Sequence, residues 1–346
     1  LCLVQVAVPD AGEAVLIDPL ADGLSLAPLY ELLAHKGTVK VFHAARQDLE
    51  IFYVEGGVIP EPLFDTQVAA MVCGFGEQVG YETLVKRIAR ASVDKTSRFT
   101  DWSRRPLTDA QKSYALADVT HLRVIYEHLA KELRKTKRTA WVEEELAVLT
   151  DPETYITRPD EAWGRIKTRS SSPRFLAVVR ELARFREDHA QGRNVPRSRV
   201  FKDDALLEVA STKPRTPEDL GRSRLLLREA RKGDIAEGIL AAIQTALALP
   251  NEALPQSDKS NERPQHGNAA LSDLLRVLLK ARSDSERVAA KLIATSSDLD
   301  ALASGARDLP ALKGWRREVF GEDALRLCQG EIALAAKGTQ IVAVPL

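Results

Sequence analysis

Asp48, Tyr114 and Asp118 are the residues of this sequence whose type and spacing suggest chemistry. Asp48 closes the run Val39-Lys40-Val41-Phe42-His43-Ala44-Ala45-Arg46-Gln47-Asp48. There an apolar stretch with strand character gives way at His43 to helix-forming residues, so Asp48 falls about one turn inside a helix. Tyr114 and Asp118 close the segment Tyr114-Ala115-Leu116-Ala117-Asp118 and, four positions apart, share a helix face. A carboxylate can hold a divalent cation while a neighbouring phenol orients a water, which is the combination that metal-assisted hydrolysis requires. Two aspartates alone supply too few oxygen ligands for a two-metal site.

The elements that must position these residues alternate in the first part of the chain. Short β-rich runs at Leu3 to Val8, Ala14 to Ile17 and Val39 to Phe42 are interleaved with helical patterns near Leu26 to His35 and from about Ala45. This predicts mixed α/β architecture, a sheet flanked by helices. Asp65-Thr66-Gln67 is placed to cap a helix through Val72, and Tyr81-Glu82-Thr83-Leu84 opens another. Asp101-Trp102-Ser103-Arg104-Arg105-Pro106-Leu107 reads as a non-helical connection. Thr108-Asp109-Ala110-Gln111 then starts a long helix carrying Tyr114 and Asp118 to about Thr136.

After Thr139 the patterns are helical only. A connecting helix and elbow lead to a small bundle from Pro173 to about Leu249, with a break expected at Gly233. Pro250 to Gly267, rich in Pro, Asn, Ser and charge, reads as a linker. A second helical unit from Ala269 to about Lys337 faintly echoes the first, which suggests a diverged duplicate. The domain boundaries expected on this basis are 1–138, 139–170 for the connector, 171–249, 250–268 for the linker, and 269–346.

A length of 346 residues suits two or three domains, and an apolar content of 45% suffices to fill their cores. No apolar stretch approaches the roughly 18 residues needed to span a bilayer. Leu1 to Val8 is too short for an anchor and lacks the basic flank of a signal peptide. Cys2, Cys73 and Cys328 have no metal-type spacing, and so sparse and odd a set fits a reducing cytoplasm better than a disulfide framework.

Net charge is zero, but its distribution is uneven. Residues 161 to 200 carry ten basic side chains (Arg165, Lys167, Arg169, Arg174, Arg180, Arg184, Arg186, Arg193, Arg197 and Arg199) against four acidic ones. Such a run serves either as a phosphate-binding face or as a solvated, partly paired helix surface, and for an isolated charge run the two readings are equal.

Four ordered segments carry a resemblance: Lys40 to Leu49, Phe64-Asp65-Thr66-Gln67-Val68-Ala69-Ala70, Asp101 to Leu107, and Tyr114 to Val119. Together they resemble ribonuclease D, a 3′→5′ exoribonuclease family of the four-carboxylate superfamily with tyrosine in its third motif. The helical units resemble the HRDC domains that follow the nuclease domain in that family, through Leu182-Ala183-Arg184-Phe185-Arg186-Glu187 and Arg193-Asn194-Val195-Pro196-Arg197. The resemblance covers nearly the whole chain. It implies a ribonuclease H-like mixed sheet flanked by helices, followed by two small all-α HRDC-like bundles.

In the family a first motif, Asp-x-Glu, precedes a segment similar to Leu1 to Gln5. The resemblance therefore implies that the motif lies upstream of residue 1, that the nuclease domain is N-terminally truncated, and that this chain has little activity and at most one weakly held ion. Asp48-Leu49-Glu50 is no substitute, because positions i and i+2 point to different sides of a helix; Glu50 is expected to face solvent.

The mechanism implied is hydrolysis of the terminal phosphodiester with two divalent ions, Mg²⁺ or Mn²⁺. Asp118 would hold the ion that binds the attacking water, Asp48 would support the second ion, and Tyr114 would position or help deprotonate that water. For RNA contact, His43, Trp102, Arg104, Arg105, Arg193 and Arg197 are weaker candidates. A satisfied core position is the stronger reading for His43, and simple packing an equal one for Trp102. Asp65 reads as a structural N-cap, and Trp163 and Trp315 as bundle anchors. The function implied is trimming of single-stranded RNA 3′ ends in the cytoplasm, tRNA precursors included, with no membrane partner. A catalytically inactive RNA-binding scaffold and a DNA exonuclease of the same superfamily are the alternatives.

Overall fold

The computed structural model describes residues 1–8, 14–93, 97–255 and 269–346. It divides into two compact units, Leu1–Tyr155 together with Pro264–Leu346, and Ile156–Arg263.

In the first unit β1 (Val4–Ala7) pairs antiparallel with β2 (Ala14–Ile17), Val4 opposite Ile17. Helix α1 (Ala27–Ala34) buries Leu29 and Leu33, four apart on one face, against Val4 and Phe52. β3 (Lys40–Phe42) leads into α2 (Arg46–Gly56), which buries Leu49 and Phe52 and stops where Gly57 takes a left-handed φ of 64°. The chain returns as β4 (Leu63–Asp65), parallel to β3 with Phe42 opposite Asp65, and passes directly into α3 (Thr66–Val72). Among the described residues the sheet thus consists of two separate two-stranded ladders in this part of the chain.

Helix α4 (Tyr81–Leu84) continues as a π turn over Val85–Ala89. Helix α5 (Asp109–Thr120) opens on a capping box in which Thr108 and Gln111 satisfy one another's backbone amides. The sequence predicts one helix from here to Thr136, but the chain breaks at His121 and resumes as α6 (Leu122–Thr136). The break lets α5 lie on β1 and β2 while α6 turns to α3 and β3. Ile125, Leu129 and Leu133 of α6 join Ala69, Ala70 and Leu84 in a core that α7 (Thr139–Thr150) completes through Val142 and Leu146.

The second unit packs α8 (Pro173–Gly192), α9 (Arg197–Val200), α10 (Asp203–Thr212), α11 (Pro217–Gly221) and α12 (Gly233–Ala248) around Leu182, Phe201, Leu206, Leu220 and Ile239. Trp163 packs on this core as an anchor. The expected break at Gly233 is a helix start, with Gly233 at φ 63°, and ahead of it Glu229–Arg231 forms a short 3₁₀ turn. Of the expected linker, Asn251–Ala253 forms a 3₁₀ turn and residues 256–268 lie outside the described residues.

The rest of the first unit is a second small bundle of α13 (Ala269–Glu286), α14 (Ala290–Ile293), α15 (Ser296–Ala303), α16 (Gly314–Arg316) and α17 (Glu322–Gln329), with a π turn over Arg317–Gly321. Where the sequence suggests helix to about Lys337, the chain forms the antiparallel hairpin β5 (Ile332–Lys337) and β6 (Gln340–Pro345). The turn uses Gly338 at φ 63°, so this bundle is not all-α. Trp315 is 4% exposed and stacks on Trp141 of α7 at 4.5 Å, while its Nε1 donates to Glu145 at 3.1 Å. It anchors the bundle to the helix that also closes the nuclease-side core.

The two bundles echo each other more closely in backbone than in sequence. Each long helix is followed by a left-handed residue (Asn194 at φ 50°, Arg287 at φ 54°), then by a one-turn helix and an extended residue, and then by the next helix. Each also opens a later helix on a Lys-Gly pair with a left-handed glycine, Lys232-Gly233 and Lys313-Gly314.

Candidate active site

Asp65 organises the turn that carries Asp48. Its side chain is 2% exposed, and its Oδ1 accepts from the amides of Ala44 (3.0 Å) and Gln67 (2.7 Å). Oδ2 accepts from the amide of Ala45 at 2.8 Å. One carboxylate thus N-caps α3, as its position in the sequence predicts, and also holds the start of α2. Ala44, at φ 59°, is left-handed, a conformation disfavoured for alanine that the Asp65 bond helps to secure. Asp48 follows in the first turn of α2, where the helix dipole favours an anion.

His43 is fixed beside this turn. Its Nδ1 lies 3.0 Å from Thr66 Oγ1, whose own hydroxyl donates to Phe42 O at 2.9 Å. The imidazole also hydrogen-bonds the backbone of Val79, so Thr66 and Val79 both hold the ring within the fold. Burial pushes the imidazole pKa down, against the opposing pull of Asp65. With Thr66 and Val79 as partners and its charged form disfavoured by burial, His43 fits the satisfied core position that is its stronger reading in the sequence, and not the phosphate contact.

The second half of the site lies on α5. Tyr114 and Asp118 stand one turn apart, as the spacing predicts. Burial pushes Asp118 up to about 6, with Arg98 pulling the other way. Tyr114 is also raised, first by burial and then by the charge of Asp118, so it remains a neutral phenol at physiological pH. Asp48 is raised to about 6 by burial and by the like charge of Asp65. Its residue surface is nonetheless exposed, and solvent reaching that side screens the effect. Neither Asp48 nor Asp118 forms an ion pair among the described residues. Glu50, the residue considered as a substitute ligand, is exposed.

Two residues that the sequence did not mark for the site border it, and one of them, Tyr81, connects the halves. The Tyr81 ring lies 5.7 Å from His43, and its hydroxyl donates to Ala117 O at 3.0 Å, next to Asp118. Arg98 acts electrostatically on both Tyr114 and Asp118. No periodicity or motif could have found either, since Tyr81 reads as a helix opener and Arg98 as one basic loop residue among many.

The connection before α5 borders the site but not as expected throughout. Trp102 lies 5.9 Å from the Tyr114 ring. Arg104 is exposed. Arg105 is corrected from a phosphate ligand to a clasp: Nε and Nη2 grip the two oxygens of Asp18 at 2.6 Å, Nη2 also donates to Cys2 O at 2.7 Å, and Nη1 donates to Trp102 O at 2.8 Å. All its donor nitrogens are engaged within the chain.

In the helical unit, Arg193 pairs with Asp234 at 2.7 Å, and Arg197 borders a shallow surface cavity of about 220 Å³ with Arg186, Ser198, Lys202, Asp203 and Asp204. The basic run proves largely self-paired. Arg174 donates to Leu249 O, Arg180 and Arg184 meet Glu181, and the buried Arg186 bonds Phe201 O and Asp203. The run as one continuous phosphate-binding face is thereby reduced to the ends of these pairs.

Among the described residues no three or more His, Cys, Asp or Glu side chains cluster as a metal site. Asp48 and Asp118 are nonetheless two carboxylates raised by burial and in no ion pair among the described residues, which suits a divalent cation as a partial ligand set.

The 3′-5′ exonuclease family matches residues 1–134 and the HRDC domain residues 175–243. The chain is 64% identical over 343 residues to ribonuclease D of Jannaschia sp. strain CCS1, covering 99% of this chain and 89% of that protein. It is 51% identical over 342 residues to ribonuclease D of Granulibacter bethesdensis, covering 99% and 86%. The crystal structure of Escherichia coli RNase D, described as an exoribonuclease involved in structured RNA processing, superposes with a TM-score of 0.77 at 28% identity over 95% of this chain and 88% of that one. On this identity and coverage the chain belongs to the ribonuclease D family of 3′-5′ exoribonucleases.

Proposed function

We propose that this protein removes nucleotides from the 3′ ends of structured RNAs such as tRNA precursors, by divalent-metal-assisted phosphodiester hydrolysis centred on Asp48, Tyr114 and Asp118. The observation that carries the reading is the pairing on α5 of Asp118, a carboxylate raised to about 6 and in no ion pair among the described residues, with Tyr114, a neutral phenol one turn away. A bound Mg²⁺ or Mn²⁺ would supply Lewis-acid polarisation of the scissile phosphate and of a water. Asp118 and Asp48 would be its protein ligands. A tyrosine whose pKa is raised orients a water through its hydroxyl rather than deprotonating it. Trp102, resting on Tyr114, provides an aromatic face where the terminal nucleotide would lie, and Arg104 an exposed cation for its phosphate.

We read residues 269–346 as a second HRDC-like unit after the one at 171–249. The equal nine-residue spacing from the left-handed residue to the next long helix, Asn194 to Asp203 and Arg287 to Ser296, supports this. Arg197 is the better candidate for RNA backbone contact in the first unit, because Arg193 is paired with Asp234. No helix among the described residues is long and apolar enough to cross a membrane, and we place the activity in the cytoplasm, where its RNA substrates are made.

The test is a time course with a 5′-labelled RNA bearing a single-stranded 3′ tail, with Mg²⁺ or with EDTA, against the wild type and Asp118→Asn. Slow metal-dependent shortening from the 3′ end that Asp118→Asn abolishes, with RNA binding retained, is the expected result. Equal shortening by Asp118→Asn would remove the assignment of the site. Shortening of DNA but not RNA would move the activity to the DNA exonuclease reading, and binding without shortening under any metal would move it to a scaffold.

A further inference from the structure

We infer that the turn Ser97–Thr100 is a nucleobase-docking tip, in which the ring of Phe99 stacks on a base of the single-stranded 3′ segment and Arg98 meets its backbone. This rests on the exoribonuclease reading above and adds a substrate contact, the Phe99 ring, that is not part of the carboxylate site itself.

Phe99 is 91% exposed, more than any other large apolar side chain among the described residues. An isolated exposed apolar residue is ordinary in itself. Three features distinguish this one. The first is its backbone setting: Thr100 donates from its amide to Ser97 O at 3.2 Å and from its hydroxyl at 2.8 Å, closing a four-residue turn. Arg98 and Phe99 are the central residues of that turn, so both side chains project from its tip. Such positions favour small polar residues, and a phenylalanine there contributes nothing to a core.

The second feature is the fastening of the turn to the site. Ser97 is 4% exposed, and Thr100 Oγ1 accepts from Gln111 Nε2 at 3.1 Å. Gln111 is the capping-box residue of α5, three positions before Tyr114. Farther along the connection Trp102 rests against Tyr114 and Arg105 clasps Asp18. The tip is therefore tied on its C-terminal side to the helix that carries Tyr114 and Asp118, and stacking a base on it would order little additional chain.

The third feature is the company of the ring. The guanidinium carbon of Arg98 lies 5.3 Å from the Phe99 ring centroid. A cation over one edge of an exposed aromatic ring, with the remaining face open, suits single-stranded nucleic acid: the face accepts any base, and the cation neutralises a neighbouring phosphate. The contact is sequence-tolerant, which fits an enzyme that must advance along whatever sequence precedes the 3′ end.

The experiment measures binding and trimming of a 5′-fluorescent oligoadenylate whose abasic residue is moved one position at a time from the 3′ end, with wild type, Phe99→Ala and Phe99→Trp. Base stacking by alanine substitution is worth about 1–3 kcal/mol, so Phe99→Ala is expected to weaken binding roughly 5- to 150-fold, with Phe99→Trp restoring it. In the wild type one abasic position should cost about the same factor, and in Phe99→Ala that position should cost nothing further, since both changes remove one contact. A wild type that binds and trims RNA while Phe99→Ala does so equally, or keeps the full abasic penalty at every position, overturns the docking tip and leaves the exoribonuclease reading standing. A wild type that neither binds nor trims the RNA overturns the reading itself. Loss of binding in Phe99→Ala with no position-specific abasic penalty in the wild type would assign Phe99 to a protein contact and overturn the inference as well.

Discussion

The Oδ2 atom of Asp65 accepts the amide of Ala45 at 2.8 Å, and through that bond the residue capping α3 also sets the direction in which α2 leaves β3. Asp48 lies three residues beyond Ala45. The position of a candidate metal ligand thus depends on a buried carboxylate that need never touch the substrate.

Replacing Asp65 by alanine removes the N-cap of α3 and strands the amides of Ala44, Ala45 and Gln67, the first and last partly buried and that of Ala45 fully so. Each unsatisfied buried donor costs about 1–3 kcal/mol, so a loss of about 3 kcal/mol or more in urea denaturation is expected. Asp65→Asn keeps one acceptor oxygen and should stay folded, with kcat reduced more than KM because the start of α2 shifts. Unchanged kcat in a folded Asp65→Asn protein would show that Asp48 does not depend on this bond.

Asp118 carries a pKa raised to about 6 from an ordinary 3.8. Between those values the folded state binds a proton that the unfolded state has released, so stability falls as pH rises through the window and the penalty is complete above it. Asp118→Asn removes the penalty. In metal-free buffer its Tm should exceed that of the wild type at pH 7.5, by an amount corresponding to about 1 kcal/mol for a partly screened site, and match it near pH 3.5. A Tm difference that is the same at both pH values would rule out this origin. Adding Mg²⁺ should stabilise the wild type and not the variant.

Arg105 and Asp18 join the connection before α5 to the residue following β2 through two bonds of 2.6 Å, and Nη1 of the same guanidinium holds Trp102 O. Arg105→Ala should free Trp102 from Tyr114, shift the tryptophan emission and lower kcat/KM roughly ten- to a hundredfold through misplacement of substrate. Asp18→Asn should do the same to a smaller degree, and the double variant should be no worse than Arg105→Ala alone. Full additivity of the two changes would mean that the pair does not act as a clasp.

Gly238 lets α12 approach α8 closely, for a Cβ there would overlap the Phe185 ring. That ring is itself stacked against Phe201. Gly238→Ala is therefore expected to destabilise the helical unit by about 1–3 kcal/mol despite alanine's better helix propensity. Phe185→Leu in the same background should recover part of the loss, and a Gly238→Ala protein as stable as wild type would show that the ring yields freely.

Local chemistry made much of this protein legible in its sequence. Asp65 capping α3, Thr108 and Gln111 opening α5, the strand-to-helix change around His43, and Tyr114 with Asp118 on one face all follow from interactions within a few residues. Such interactions form wherever the words occur, and three of these words together with Asp101 to Leu107, in order, sufficed to indicate the family. The C-terminal hairpin was missed because Ile332 to Lys337 is alanine-rich and suits a helix equally well; the left-handed Gly338 and pairing with β6 decide it. The break at His121 arises because α5 and α6 meet different neighbours. What tertiary structure alone decided is which charged groups are already taken. Arg105 reads as a free cation until Asp18, 87 residues away, is folded against it, and only the fold brings His43 its partner Thr66, 23 residues away. Hydrogen-bond partners distant in sequence consume donors and set protonation, and residue type and spacing carry no record of them.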